Sequence, residues 1–331
     1  MRAARRITER DRLILTLLWE HRVLTTTQLC ELAFDNLTTA RHRLSVLHEL
    51  RLVDRFQPRS EASLSTFHYV LDHLGSYLVV ADRGENPDEL DWRKENALAV
   101  SSSRRLAHTV GVNGLFVRLA AHARRHSAAD LHLWWSEKRV TAWIDEQTAG
   151  WPAVASDGPH GRVWRPAPRP MPDGYGVWRD DAATVAFAVE YDRGTETLGR
   201  LTGKLGGYVE LAWLFGHPPW TLFAFTSSRR ETNARLALAD APVPVATASD
   251  LDDPAGPVWL PVHHDPTARV RLAHLTTRTT PGPAVRPLLD ALAEPGSRAA
   301  RGRLSRAESS GLAPPHPADP DGREAQRYGF V

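Results

Sequence analysis

The sequence predicts an α+β protein in which a winged helix-turn-helix module precedes a mixed sheet built in the order α-β-β-β-α-β. Three observations carry that expectation. Apolar residues recur at helical spacing three times before residue 50, and two short strand-like runs follow around a polar loop. Beyond a charged stretch punctuated by Pro and Gly, strand and helix patterns then alternate as far as residue 248.

The first helix is expected over 8–22. Thr8 can cap it, Asp11 stands in its first turn, and Leu13, Leu17 and Leu18 share one side. After a short extended piece at Val23-Leu24, Thr26 or Thr27 can cap a second helix with Leu29, Leu32 and Ala33 inward. Asn36 can cap a third, where Leu37, Ala40, Leu44 and Leu47 form one buried stripe. Residues 52–56 and 66–71 read as strands of a hairpin, the wing. Residues 82–96 read as a linker, and a long helix is expected over 97–126. Strands at 131–140, around 172–192, at 220–226 and at 243–248 alternate with helices at 196–215 and 231–239. The resulting domains are 8–81, a linker 82–96, 97–250, an extension 251–280 and a disordered tail over 281–331, where Pro, Gly, Ala, Ser and Arg dominate.

Composition narrows the function classes. The chain has 331 residues, enough for two ordinary domains, and a formal net charge of only +2, which excludes a uniformly basic coat. Positive charge is nevertheless uneven: residues 1–60 hold eleven Arg against seven Asp and Glu, a local excess of four. The single cysteine, Cys30, rules out a disulfide framework and a Cys-based zinc site, so a reducing, cytoplasmic setting is expected. The apolar run Leu13–Trp19 is too short to span a membrane and no cleavage signal follows it, so a soluble, unexported protein is expected. Only Lys94, Lys138 and Lys204 are lysines among 41 basic residues.

In a helix-turn-helix the second helix of the motif enters the major groove of duplex DNA with its N-terminal residues leading. Here the outward positions of that helix are Thr38, Thr39, Arg41, His42, Arg43, Ser45 and His48. Arg41 and Ser45 lie one turn apart, and Arg can bond guanine bidentately or grip a phosphate. Arg55, Gln57 and Arg59 on the wing can follow the backbone. The same residues would equally suit the solvated face of a protein-protein module.

A second constellation lies in PDGYGVWRDDAATVAFAVEYDRGTE, residues 172–196. Strict alternation puts Val185, Phe187, Val189 and Tyr191 on one strand face and Ala186, Ala188, Glu190 and Asp192 on the other. Antiparallel pairing of the preceding strand can bring Asp173 beside Glu190. Carboxylates converging in this way repel one another unless a hard cation such as Mg²⁺ sits between them. In the next helix Glu196, Arg200 and Lys204 step by four, so that Lys204 either points back toward the acids or joins a surface ion-pair ladder. Gly199, Gly203 and Gly207 share a face there and are expected to let the helix sit tightly on the sheet.

An Asp after Pro, then a strand ending in acid-x-residue, within α-β-β-β-α-β, resembles the PD-(D/E)xK nuclease fold, that of restriction endonucleases. The resemblance implies that Asp173 and Glu190 hold a metal; in an active nuclease Asp192 would add a ligand or act as base. Asp192 stands where that pattern has its lysine, a departure: either Lys204 substitutes from the helix or the site is inactive. The whole layout is similar to the replication-relaxation family, on "RDRLILTLLWEHRVLTTTQLCELAF…RLSVLHELRLVDRF" followed by "RPMPDGYGVWRD…VEYDRGTE…KLGGY". That resemblance implies a double-stranded-DNA-binding protein of plasmids or integrated mobile elements, with replication or conjugation proteins as partners and a homodimer allowed. An active Mg²⁺-dependent nuclease and a non-catalytic scaffold are the alternatives. His263-His264-Asp265 reads as an exposed turn, and His108 near Asn113 as a polar contact in a helix. No Walker loop, dinucleotide fingerprint or Gly-x-Ser-x-Gly elbow is present.

Overall fold

The computed structural model describes residues 7–58, 66–148, 171–215, 218–262 and 268–276. They fall into two compact units that divide between Leu131 and His132. The protein is mixed α+β, with a small sheet in the first unit and a seven-stranded mixed sheet in the second. The expected tail, the excursion over 150–170, His263–Asp265 and Arg59 lie outside the described residues.

In the N-terminal unit, α1 (Glu9–His21) starts at Thr8. The Asp11 amide donates to the Thr8 hydroxyl at 3.3 Å and the Thr8 amide donates to the Asp11 carboxylate at 2.7 Å, a reciprocal capping box. A two-residue strand, β1 (Leu24–Thr25), leads into α2 (Thr26–Ala33). The cap of α2 is Thr25 rather than Thr26 or Thr27. Gln28, three residues on, accepts from the Thr25 amide at 2.9 Å, a reciprocity neither later threonine could have with it. Asn36 caps α3 (Leu37–Glu49), and Ala40, Leu44 and Leu47 are wholly buried. Each such leucine contributes about 1.5–3 kcal/mol by leaving water.

Strands β2 (Val53–Phe56) and β3 (His68–Leu71) pair antiparallel, with Val53 opposite Leu71 and Phe56 opposite His68. β1 adds to the other side of β3, so the sheet has three strands in the order β1-β3-β2. A helix not foreseen in the sequence, α4 (His73–Asp82), follows; its Asp72 cap accepts from the His73 amide at 2.8 Å. Gly75 in its first turn lets that turn press against the Leu52 carbonyl, where a Cβ would come within 2.0 Å of the oxygen.

The helix expected over 97–126 begins later. Residues 94–102 form α5 (Lys94–Leu98) and a 3-10 turn, and Ser103 accepts from the Arg105 amide at 3.1 Å just ahead of α6 (Leu106–Arg125). Lys94, at the end of the expected linker, pairs with the buried Asp54 of β2 at 2.7 Å. α6 was expected in the second domain, yet it is part of the N-terminal unit. Gln28 donates to the Val110 carbonyl at 2.8 Å, Asn113 to the Val23 carbonyl at 2.8 Å, and Arg124 to the Glu31 carbonyl at 2.6 Å. The last two bonds satisfy backbone groups that α1 and α2 leave open at their C-terminal ends and just beyond, and the first ties α2 to α6.

The C-terminal sheet comprises β4 (Ala129–Ser136), β5 (Gly174–Asp180), β6 (Ala183–Asp192), β7 (Trp220–Phe225), β8 (Val245–Ala248), β9 (Pro257–Pro261) and β10 (Val270–Arg271), laid side by side in chain order. β5 and β6 are antiparallel, β6, β7 and β8 run parallel, and β8, β9 and β10 alternate again. The strand expected through Val140 stops at Ser136, and residues 137–140 open α7 (Glu137–Thr148). Ser136 accepts from the Arg139 amide at 3.2 Å, and Val140 and Ile144, one turn apart, are buried. Parallel β6–β7 requires a crossover, supplied by α8 (Leu198–Gly203) and α9 (Leu205–Phe215); α10 (Ser228–Ala237) links β7 to β8. The single helix expected over 196–215 is thus broken at Lys204. Gly199 and Gly203 meet nothing where a side chain would stand, so they do not serve the tight packing expected of them.

Candidate functional site

Two groups of side chains stand out, one in each unit. In the N-terminal unit, the fully buried stripe of α3 fixes which residues turn outward. Thr38, Thr39, Arg41 and His42 are exposed and Ser45 is half-buried. Arg43, expected on the same outer face, is instead committed inward. Its Nε donates to Asp11 Oδ1 at 2.8 Å and its Nη2 to Asp11 Oδ2, holding the Asp11 carboxyl below the usual range against the burial that would raise it. The reason is the angular offset of 43 from 42 on a helix: it reaches α1 while His42 faces out. His48 lies 3.4 Å from Asp54. Arg55 on β2 stacks over the Phe67 ring at 4.3 Å, which restricts its stem while leaving the residue partly accessible.

The second group gathers where β6 ends. β6 is buried on both faces: Val185, Phe187 and Val189 on one, Ala186, Ala188 and Glu190 on the other. Glu190 is 3% exposed. The register sets Gly174 opposite Val189, the last pair of the ladder, and Asp173 stands just ahead of it, its amide donating to the Val189 carbonyl at 2.9 Å. Asp173 Oδ2 accepts from the Tyr191 amide at 2.8 Å. Both oxygens of Glu190 are engaged: Lys204 Nζ donates to Oε2 at 2.6 Å and the buried Tyr208 hydroxyl donates to Oε1 at 2.5 Å. Lys204 also lies 3.5 Å from Glu196.

Burial, and then the neighbouring Asp173 charge, push the Glu190 carboxyl up to about 7, while Lys204 and Tyr208 pull the other way. Burial would lower the Lys204 ammonium, but the charges of Glu190, Asp173 and Glu196 outweigh it and raise its proton affinity. Burial and Glu190 together hold the Tyr208 phenol well above its ordinary range, so it stays a donor.

Asp192, one alternation further on, does not join this cluster. Its Oδ2 accepts from Arg230 Nη2 at 2.8 Å and Nε at 3.0 Å, and its Oδ1 accepts from the Gly194 amide at 2.5 Å. Arg230 also donates to the Glu196 carbonyl at 2.6 Å, so it ties the loop after β6 to α10. The sequence reading missed Tyr208 and Arg230. Tyr208 had a signal, since it follows Lys204 by one helical turn; Arg230 had none, because only the parallel β6–β7 pairing brings it near.

The donor set does not match that of a resident Mg²⁺. Magnesium asks for free carboxylate oxygens and water in an octahedral shell, whereas Glu190 already carries an ammonium and a phenol, and Asp192 a guanidinium. Among the described residues no group of three or more His, Cys, Asp or Glu is arranged to hold a metal ion.

A small helical module with a three-stranded sheet, followed by a seven-stranded mixed sheet with a buried acid–lysine–tyrosine cluster, is the class of protein this chain defines. The chain matches the family model described as Replication-relaxation over residues 15–217, more than half its length, and it belongs to that family. No curated protein and no solved structure matches it. The matched span includes α3, Glu190, Lys204 and Tyr208 and stops short of Arg230. No helix among the described residues is long and apolar enough to cross a membrane.

Proposed function

We propose that the protein binds double-stranded DNA in the replication of a plasmid or integrated element, with the N-terminal unit acting as a winged helix and the C-terminal unit as a nuclease-like domain that contributes no cleavage. Family membership supports the setting in replication. The observation that carries DNA binding is the division of α3, whose Ala40, Leu44 and Leu47 are wholly buried while Thr38, Thr39, Arg41 and His42 are exposed at its N-terminal half. Arg55, partly accessible on the adjoining strand, would accompany the phosphate backbone; Arg43, bonded to Asp11, is left out of the reading face. Arg41→Ala should weaken duplex binding by roughly 1–3 kcal/mol if it reads a base, or flatten the salt dependence by about one unit of slope if it grips a phosphate. Fluorescence anisotropy on a labelled duplex at several salt concentrations distinguishes the two, and unchanged affinity and slope would exclude α3 as the reading element.

A second reading, a Mg²⁺-dependent nuclease, draws on the meeting of Asp173, Glu190 and Lys204 near the end of β6. Metal-dependent nicking of supercoiled plasmid that Glu190→Gln abolishes would favour it.

A further inference from the structure

We infer that the Lys204 ammonium is the built-in cation of the C-terminal unit, occupying the position between Glu190, Asp173 and Glu196 that a divalent metal would otherwise take. The inference rests on the nuclease-like reading of this unit but not on DNA binding. Glu190 sits at the end of a strand buried on both faces, and an unpaired carboxylate there would be strongly destabilising. Asp173, just ahead of the paired end of β5, adds a like charge. A cation is therefore required whenever both acids are ionised.

Lys204 meets that need from within the chain. Its Nζ is 2.6 Å from Glu190 and 3.5 Å from Glu196, and the Asp173 charge also acts on it. The break between α8 and α9 falls at Lys204, so its stem leaves the end of one helix as the next begins. Tyr208, one turn along α9, takes the remaining Glu190 oxygen. Asp192, which could have completed a metal shell, is turned to Arg230. Every acid near the end of β6 is thus answered by a basic side chain or a backbone donor of the protein itself.

Removing the ammonium should uncover a metal site. Mn²⁺ alone serves as the probe, with the full chain at about pH 8, where free carboxylates are ionised. By electron paramagnetic resonance the wild type should hold no Mn²⁺ that depends on Glu190. Lys204→Ala should gain one site, tighter than any in the wild type by roughly tenfold or more, and lose it again when Glu190→Gln is added. Thermal unfolding gives the same answer independently: Mn²⁺ should raise the midpoint of Lys204→Ala and leave that of the wild type unchanged. If Lys204→Ala fails to fold, Lys204→Gln keeps the stem, loses the charge and is read in the same way.

Two results would overturn the inference. One is a wild-type Mn²⁺ site abolished by Glu190→Gln, which would make this a native metal centre. The other is a folded Lys204 variant that gains no Mn²⁺ and no stabilisation. Duplex binding, measured in parallel on the same proteins, reports separately on the DNA-binding reading.

Discussion

Glu190 concentrates the chemistry of the C-terminal unit in one side chain. Its ordinary value is 4.5 and burial beside Asp173 raises it to about 7, so the folded state holds its proton more tightly than the unfolded state does. The sign follows from linkage: the stability this group confers is present below about 4.5, declines as pH rises toward about 7, and changes little above that. Glu190→Gln should remove this slope. Urea midpoints at about pH 5 and about pH 8 should differ less in the variant than in the wild type, which loses stability as pH rises between them. Asp11 is the opposite case: burial works against it, but Arg43 and the Thr8 cap hold it below its ordinary value, so its contribution is present above about 3.8 and is lost on acidification.

Glycines separate the elements that are tightly packed from those that are not. In α4, Gly75 leaves no room for a side chain beside the Leu52 carbonyl, so Gly75→Ala should destabilise the N-terminal unit by about 2–3 kcal/mol. In α8, Gly199 and Gly203 face open space, and Gly199→Ala should stabilise by about 0.5–1 kcal/mol through helix propensity alone. Thermal melts of the two variants should therefore move in opposite directions. Legibility in the sequence followed the same division. Elements whose signals are local were readable: the Thr8 and Asn36 caps, the α3 stripe, and the alternation of β6 that set Glu190 apart from Val189. Elements decided by distant partners were not. α4 looks like any short apolar run until β2 is beside it, and the run 131–140 is strand-like until Ser136 caps a helix inside it. Arg43 was assigned to the outer face because the residue that claims it, Asp11, is remote in the chain.

At the scale of the molecule, the division into two units falls about thirty-five residues beyond the linker that composition suggests. Pro, Gly and charge mark residues 82–96 as loop-like, but composition says nothing of where the helix after them docks. α6 carries Asn113 and Arg124 to the ends of α1 and α2, and it accepts from Gln28. A fragment of residues 7–126 should therefore fold and melt cooperatively, whereas one of residues 7–96 should lose those bonds, expose Val23 and Val70, which pack against Val100 and Leu106, and give a broad or absent transition by circular dichroism. Equal melting of the two fragments would show that α6 is dispensable to the unit.

The scarcity of lysine gives the two ion pairs a practical use. Lys94 is held by Asp54 in the first unit and Lys204 by Glu190 in the second, and only Lys138 completes the set. An amine-reactive reagent therefore meets few targets in this chain. Labelling rates at the two paired lysines, read by mass spectrometry, would act as one chemical gauge for each unit, recording when either loosens as DNA, salt or temperature is varied.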